Sequence, residues 1–280
     1  MTSFRIGAAT VGAVMALGLT ACSDDKSGSG STGGSGGDAI KVGIKFDQPG
    51  LGLKQGSDYT GLDVDVATYV AKELGHEEGD IQWVQAPSAQ RETLIQTGQV
   101  DMVVATYSIT DARKEKVTFA GPYFVAGQDL LVNTDEAAIT GPETLTGKRL
   151  CSVTGSTSAQ KVKDQYPGVQ LQEFGTYSEC VAALTSGGVD AVTTDNTILA
   201  GYAAQEQYKG KLKVVGNTFS EERYGVGIKR ADTATCEKIN TAIQKMIDDG
   251  SWQKAVDANL GPAGFETDTT VNPPKPDPCS

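Results

Sequence analysis

Histidine is nearly missing from this chain. His76 is the only one in 280 residues, and it sits in Leu74-Gly75-His76-Glu77-Glu78, which reads as a helix exit. No nucleophile, base and orienting group can be assembled around it, so acid–base catalysis by imidazole is set aside and the chain is not expected to be an enzyme. Positive charge is also short. Twenty-four basic residues face 35 acidic ones, a formal net charge of −11, and nucleic-acid phosphates need a basic surface; no nucleic-acid partner is expected. No Cys-x-x-Cys spacing occurs and no histidine neighbours a cysteine, so neither a metal nor any other cofactor is expected. Beyond the N-terminus there is no second long apolar run, which argues against a transmembrane helix. What remains, 39% hydrophobic and 21% charged residues, is the composition of an ordinary soluble globule.

The N-terminus sets the compartment. Arg5 precedes an apolar stretch from Ile6 to Thr20, too short to span a bilayer and long enough for the core of an export signal. It ends in Leu19-Thr20-Ala21-Cys22, which resembles the bacterial lipobox, where a small residue precedes a cysteine that is diacylated and becomes the mature N-terminus. Residues 1–21 are therefore expected to be a lipoprotein signal peptide, with Cys22 as the lipidation site and an extracytoplasmic protein anchored to the cell membrane. An ordinary secretory signal with a chance cysteine is the competing reading. Losing Arg5 with the leader takes the formal charge to −12. From Ser23 to Gly37 the chain is almost entirely Ser, Gly, Asp, Thr and Lys, so 22–37 reads as a tether; fifteen such residues reach about 20–23 Å.

Four further cysteines, Cys151, Cys180, Cys236 and Cys279, make an even number in an exported chain, so disulfides are expected. Three connectivities are possible. Cys151 and Cys180 fall within one strand–helix stretch, whereas Cys236 and Cys279 flank the C-terminal helices and tail, which favours Cys151–Cys180 and Cys236–Cys279. The second bridge would pin the Pro-rich tail Asn272-Pro273-Pro274-Lys275-Pro276-Asp277-Pro278, which has no other evident reason to be ordered.

From Ile40 to Leu260 short β-branched runs alternate with helical patterns, an α/β signature. Strands are expected at Ile40–Lys45, Ile81–Gln85 and Asp101–Ala105. Between them Val66, Val70 and Leu74 share one helical face, with Asp63 and Asp65 suited to that helix's N-terminal end. Ser88 is expected to cap a second helix running through Leu94 and Ile95 to Gly98. The second half repeats the scheme, with strands near Arg149–Val153, Val169–Phe174 and Asp190–Thr194 and helices near Thr157–Gln165 and Ser178–Ser186. Leu94-Ile95-Gln96-Thr97-Gly98-Gln99-Val100-Asp101 recurs 89 residues later as Ala183-Leu184-Thr185-Ser186-Gly187-Gly188-Val189-Asp190. Two copies predict two similar lobes. Open α/β sheets bind small ligands at the carboxyl ends of their strands, so the cleft between lobes is the expected site. By the same spacing Thr106 in lobe one corresponds to Asp195 in lobe two, and both should face it.

Four segments carry a resemblance. Gly61-Leu62-Asp63-Val64-Asp65-Val66-Ala67, Gln99-Val100-Asp101-Met102-Val103, Thr110-Asp111-Ala112-Arg113-Lys114 and Phe119-Ala120-Gly121-Pro122-Tyr123-Phe124 resemble, in order and spacing, the successive signatures of the polar-amino-acid family of periplasmic-type solute-binding proteins, over roughly Ile40 to Leu260. The resemblance implies a periplasmic-binding-protein-like fold, two α/β lobes joined by two crossing strands that close on ligand like a hinged trap. Lobe one would be 38–125 plus 223–280 and lobe two 126–222.

It also implies site roles. An arginine placed like Arg113 clamps the ligand α-carboxylate, since a planar guanidinium matches a planar carboxylate with two parallel hydrogen bonds; by pattern alone Arg113 is one cation in an Asp-Ala-Arg-Lys-Glu-Lys run. Thr106 and Ser108 match positions that hydrogen-bond the same ligand. In Thr154-Gly155-Ser156-Thr157-Ser158 the residues Ser156 and Thr157 open a helix whose N-terminal N–H groups can receive a carboxylate. Asp195 matches the acidic partner of the α-ammonium group, and a helix N-cap is its compatible second role. Lys45 and Arg91 are similar to cationic positions of the glutamate/aspartate-binding members, and Ser88 would add a hydroxyl; otherwise these two are surface cations paired with Asp47 and Glu92. Two cations in a desolvated pocket suit a side-chain carboxylate and mismatch an arginine.

The reading is a monomeric substrate-binding lipoprotein of an ABC importer that binds L-glutamate, or else aspartate, and hands it to membrane permease subunits. Glutamine is the runner-up ligand. Two other classes share the architecture: a sensor presenting its closed form to a membrane kinase, and a dehydratase acting on carboxylated rings.

Overall fold

The protein is described by a computed structural model over residues 39–279. The expected signal peptide, the expected lipidation site at Cys22 and the expected tether lie outside the described residues.

Two five-stranded mixed sheets organise the chain. The first draws on β1 (Ile40–Ile44), β5 (Ile81–Gln85), β6 (Met102–Val103), β7 (Thr118–Ala126) and β13 (Glu222–Ile228), in the order β5-β1-β6-β13-β7. Here β1 runs parallel to β5 and β6, and β13 antiparallel to β6 and β7. The second uses β8 (Gln128–Asn133), β9 (Arg149–Val153), β10 (Gln170–Phe174), β11 (Ala191–Asp195) and β12 (Leu212–Val214), in the order β10-β9-β11-β8-β12. Its pattern is the same, β9 parallel to β10 and β11, β8 antiparallel to β11 and β12. A small meander of β2 (Asp47–Gln48), β3 (Gly52–Gln55) and β4 (Asp58–Thr60) follows β1.

Alternation along the strands divides the core. Ile40, Val42 and Ile44 point to one face of the first sheet, where they meet α1 (Leu62–Glu73), α7 (Thr233–Asp248) and α8 (Ser251–Leu260). Val103 turns to the other face, with Leu94 and Ile95 of α2 (Arg91–Gln96) and with Phe119. A short α3 (Asp111–Lys114) follows β6. In the second sheet Cys151 and Leu131 face α5 (Tyr177–Thr185) and α6 (Asn196–Ala203), while Leu130, Val132 and Leu150 face α4 (Thr157–Gln165). Within α1 the buried residues Val66, Ala67, Val70 and Ala71 follow the expected helical spacing.

The sequence echo is one structural device used twice. Gly98 and Gly187 end their helices in the left-handed region, at φ 69° and 75°. Two residues on, a valine enters the core, and then an aspartate braces a parallel strand of its own sheet, β1 or β9: Asp101 Oδ2 accepts Lys41 N–H, and Asp190 Oδ2 accepts Arg149 N–H, both at 2.8 Å.

The chain leaves the first sheet along β7, passes Gly127 and enters the second as β8; it returns into β13, whose Glu222 pairs with Ala126. These are the two crossing strands. Disulfides join Cys151 to Cys180 and Cys236 to Cys279, with Cα–Cα distances of 5.5 and 6.0 Å.

Ser88 departs from its expected capping role. A turn from Pro87 O to Gln90 N–H, 2.9 Å, delays α2 to Arg91, so Gln90 occupies the N-cap without a side-chain bond and Ser88 is left to serve Lys45. Asp195 stands at the N-cap position of α6 but its carboxylate makes no capping bond.

Candidate functional site

The carboxyl ends of β1 and β6 and the first residues of α2 and α3 place three cations close together. Lys45 directly follows β1, is 5% exposed, and donates from Nζ to Ser88 Oγ at 2.8 Å. Arg91 is 2% exposed; its Nη1 donates to Ala105 O at 2.9 Å, while its Nε has no hydrogen-bond partner among the described residues. Thr110 accepts from Arg113 N–H, so α3 starts with Arg113 aimed inward. Nη1 of Arg113 donates to Ser108 O at 2.7 Å and its Nη2 to Gly155 O at 3.1 Å. Tyr107 lies between the arginines, its ring centre 4.2 Å from the Arg91 guanidinium and 5.0 Å from that of Arg113. Glu92 accepts the Tyr107 hydroxyl at 2.8 Å and stands 3.6 Å from Arg113 Nε. The pairing of Arg91 with Glu92 therefore does not form, and Lys45 and Arg91 are buried rather than surface cations.

Opposite stand the ends of β9 and β11. Ser156 caps α4, accepting Ala159 N–H at 3.0 Å. Thr157 Oγ1 donates to Glu222 Oε2 at 2.8 Å and lies 3.4 Å from Ser108 Oγ. Asp195, 4% exposed, accepts the Tyr224 hydroxyl at 2.7 Å. One cavity is lined by Ser88, Arg91 and Thr106 from the first half and by Ser156, Thr157 and Asp195 from the second, and Arg113 borders the wider mouth beside it. Lys45 reaches this cavity through Ser88, and Ser108 stands at its Thr157 edge.

The two halves touch in this form. Besides Arg113 to Gly155, Ser178 N–H and the Tyr202 hydroxyl donate to Asp47 Oδ2 at 3.2 and 3.1 Å. Gly155 tolerates no side chain here, since a Cβ would lie 2.8 Å from Ala89 Cα.

Burial sets the electrostatics. It holds the Lys45 ammonium well below its ordinary pKa, and the neighbouring Arg91 adds to this. Burial and then Arg113 bring Arg91 down to about 10. Across the cleft, burial and then the negative charge of Glu222 raise Asp195 to about 7. A group carrying both carboxylate and ammonium charge, placed here, relieves each of these penalties.

Several residues of the site escaped sequence reasoning. Asp63, expected only to suit a helix dipole, is fully buried; it accepts Thr106 N–H at 3.0 Å and the Tyr123 hydroxyl at 2.6 Å, and burial raises its pKa to about 6. It thereby holds Thr106, a threonine at φ 45°, in a conformation that costs about 1–3 kcal/mol unless its surroundings impose it. Gln48 is fully buried, its Oε1 accepting Thr106 Oγ1 at 3.2 Å and its Nε2 without a partner among the described residues. The alternation of Thr106, Tyr107 and Ser108 could have flagged Tyr107; no local signal marks Glu222.

Residues 40–262 match the family model described as bacterial extracellular solute-binding proteins, family 3. The Glutamate-binding protein GluB of Corynebacterium efficiens is 50% identical over 92% of this chain and 91% of its own length. The glutamine-binding protein GlnH of Bacillus subtilis is 36% identical over 78% of this chain and 79% of its own. Among solved structures, an ancestral arginine-binding protein bound to glutamine superposes with a TM-score of 0.74 at 35% identity, covering 80% of this chain and 98% of that one. The sheet order, the two crossing strands and the interlobe cleft are those of a periplasmic-binding-protein fold, and the chain belongs to the bacterial extracellular solute-binding proteins, family 3.

Proposed function

We propose that this chain is the extracytoplasmic substrate-binding lipoprotein of an ABC importer and that it captures L-glutamate in the cleft. The observation that carries the ligand assignment is a small cavity with buried Arg91 on one side and the buried carboxyl of Asp195 on the other, with the buried cations Lys45 behind Ser88 and Arg113 at the mouth beside it. Such a pattern fits a zwitterion bearing one additional negative charge. Arg113 takes the α-carboxylate, helped by Ser108 and by the N-terminal end of α4 at Ser156 and Thr157. Asp195 takes the α-ammonium. Lys45 and Arg91, with Ser88 and Thr106 beside them and the Gln48 amide behind, take the side-chain carboxylate. The name of the 50% identical relative supports the same ligand.

Titration calorimetry of the protein with glutamate, aspartate, glutamine and arginine tests this. Glutamate binding much tighter than glutamine is expected; a preference for glutamine would remove the side-chain roles of Lys45 and Arg91 and leave the zwitterion clamp. Glutamine is the second reading because the 36% identical relative is named for it. Absence of binding to any amino acid would overturn the assignment and return the sensor and dehydratase readings.

The lipobox-like Leu19-Thr20-Ala21-Cys22 and the Gly/Ser-rich segment after it support anchoring through Cys22. The expected result is a membrane-bound protein whose N-terminal peptide carries acyl mass, released to the medium by Cys22→Ser; an unacylated N-terminus would refute it. The importer reading predicts co-purification with permease subunits from membranes supplied with ligand. Recovery with a membrane kinase instead would support the sensor.

A further inference from the structure

The C-terminal tail is more than the end of the chain. β7 is the outer strand of the first sheet and one of the two crossing strands, so the N–H and C=O groups on its outer side would be open. The tail covers them. Asn272, 5% exposed, offers its side-chain amide to both backbone groups of Val125: Val125 N–H donates to Oδ1 at 2.9 Å, and Nδ2 donates to Val125 O at 2.9 Å. Four residues back along the strand, Asp277 N–H donates to Gly121 O at 2.7 Å. The Asp277 carboxylate stands 2.8 Å from Nη2 of Arg223, which pairs with Val125 across the other crossing strand, β13. Asn240 of α7 ties both ends, accepting Gly121 N–H at 2.7 Å and donating to Asp277 O at 2.7 Å, and Cys236–Cys279 fixes the tail to α7.

Just before this strap, Phe265 and Val271 form one wall of a groove of about 230 Å³ whose other wall includes Asn196, Thr218 and Ser220 of the second lobe. It shares no lining residue with the cavity around Arg91 and Asp195. Val125, Ala126 and Gly127, where the chain crosses from one lobe to the other, form its floor.

Resting on the reading of the cleft as a ligand trap, we propose that Asn272 and Asp277 are positioning residues for capture: they hold the tail against the crossing strands so that its Phe265–Val271 wall stops the lobes from opening too far. A narrower open ensemble loses less freedom on closing, so the strap raises affinity for every ligand by a common factor, whatever its side chain.

The test uses the full chain carrying Asn272→Ala or, as the milder change, Asp277→Asn. Small-angle scattering without ligand should show a larger mean radius of gyration and a broader distribution than the parent, with cooperative melting retained. Affinities for glutamate and glutamine should fall together, by about three- to tenfold. Unchanged scattering in both folded variants overturns the proposal, as does a loss confined to one ligand. If the parent binds no amino acid, the ligand assignment fails, and the scattering comparison still decides the strap.

Discussion

Replacing Lys45 by methionine isolates the role proposed for it, reading the side-chain carboxylate. Methionine nearly matches the length of lysine and fills the same buried space, so no cavity follows. Lys45 in the closed form donates to Ser88 Oγ at 2.8 Å, and burial next to Arg91 opposes its charge. Removing an ammonium held under these conditions should leave the unliganded protein as stable as the parent or slightly more so, because a buried cation gives way to an apolar group of similar shape. With glutamate bound the balance reverses. A charge-assisted hydrogen bond between Lys45 and the side-chain carboxylate contributes about 1.5–3 kcal/mol, so its loss weakens glutamate binding by about 10- to 150-fold. Glutamine presents a neutral amide to the same position and should weaken by no more than about threefold, within the spread of volume-conserving exchanges. Calorimetry with both ligands and a melting curve without ligand read the two halves of the argument. Equal losses for glutamate and glutamine would refute the role of Lys45, and a clear drop in unliganded melting temperature would refute the account of its burial.

Arg113→Ala removes the proposed α-carboxylate clamp and two bonds of the closed form, to Ser108 O and Gly155 O. Every amino-acid ligand should lose at least about 100-fold, and Arg113→Lys, which keeps the charge without the fork, should recover only part of it; retention of micromolar binding in the alanine variant would sink the clamp. The Asp195 carboxyl is raised to about 7 by burial and by Glu222, so its proposed role as partner of the ligand ammonium should make binding depend on pH. An acid raised on folding contributes stability while protonated, and loses it as pH climbs from the unfolded value of about 4 to about 7. The ligand ammonium favours the ionised form, so glutamine affinity should rise about tenfold from pH 6 to 8 with release of a proton to the buffer. A flat profile in calorimetry with two buffers of different ionisation enthalpy would refute it.

Features read from local pattern depend on neighbours in sequence, and those came through. The strands at Ile81–Gln85 and Arg149–Val153 agree to the residue, and the repeated glycine, valine and aspartate perform one task in each lobe because a helix exit and a strand brace need only a few consecutive residues. Residue type alone points to Ser88 as the cap, whereas the turn from Pro87 to Gln90 moves the helix start two residues on. Asp63 and Glu222 could not be read from pattern at all. Asp63 finds Tyr123 sixty residues away and Glu222 finds Thr157 sixty-five away, and only the fold brings either pair together. Gln48 belongs to the same class, an amide within a two-residue strand whose burial is decided by the lobe that closes over it.

Charge balance in the closed form explains why closing should require ligand. Lys45, Arg91 and Arg113 are buried together, and among the described residues only Arg113 has a carboxylate within salt-bridge distance, Glu92 at 3.6 Å. Asp63 lies behind Thr106 and is bound to Tyr123, and Asp195 is bound to Tyr224 and is itself half neutralised near pH 7. Two buried donors, Arg91 Nε and Gln48 Nε2, lack acceptors among the described residues. A buried donor left unmatched costs about 1–3 kcal/mol, more when it is charged, so closing without an anion incurs several such costs at once. On the proposed assignment glutamate would bring carboxylate oxygens to these donors and an ammonium to Asp195, whereas arginine would bring a fourth cation to the three already buried there. The closed population should accordingly be small without ligand, large with glutamate and unchanged by arginine. Scattering curves taken with each of the three would settle it, and compaction by arginine equal to that by glutamate would mean that the three cations do not select the ligand.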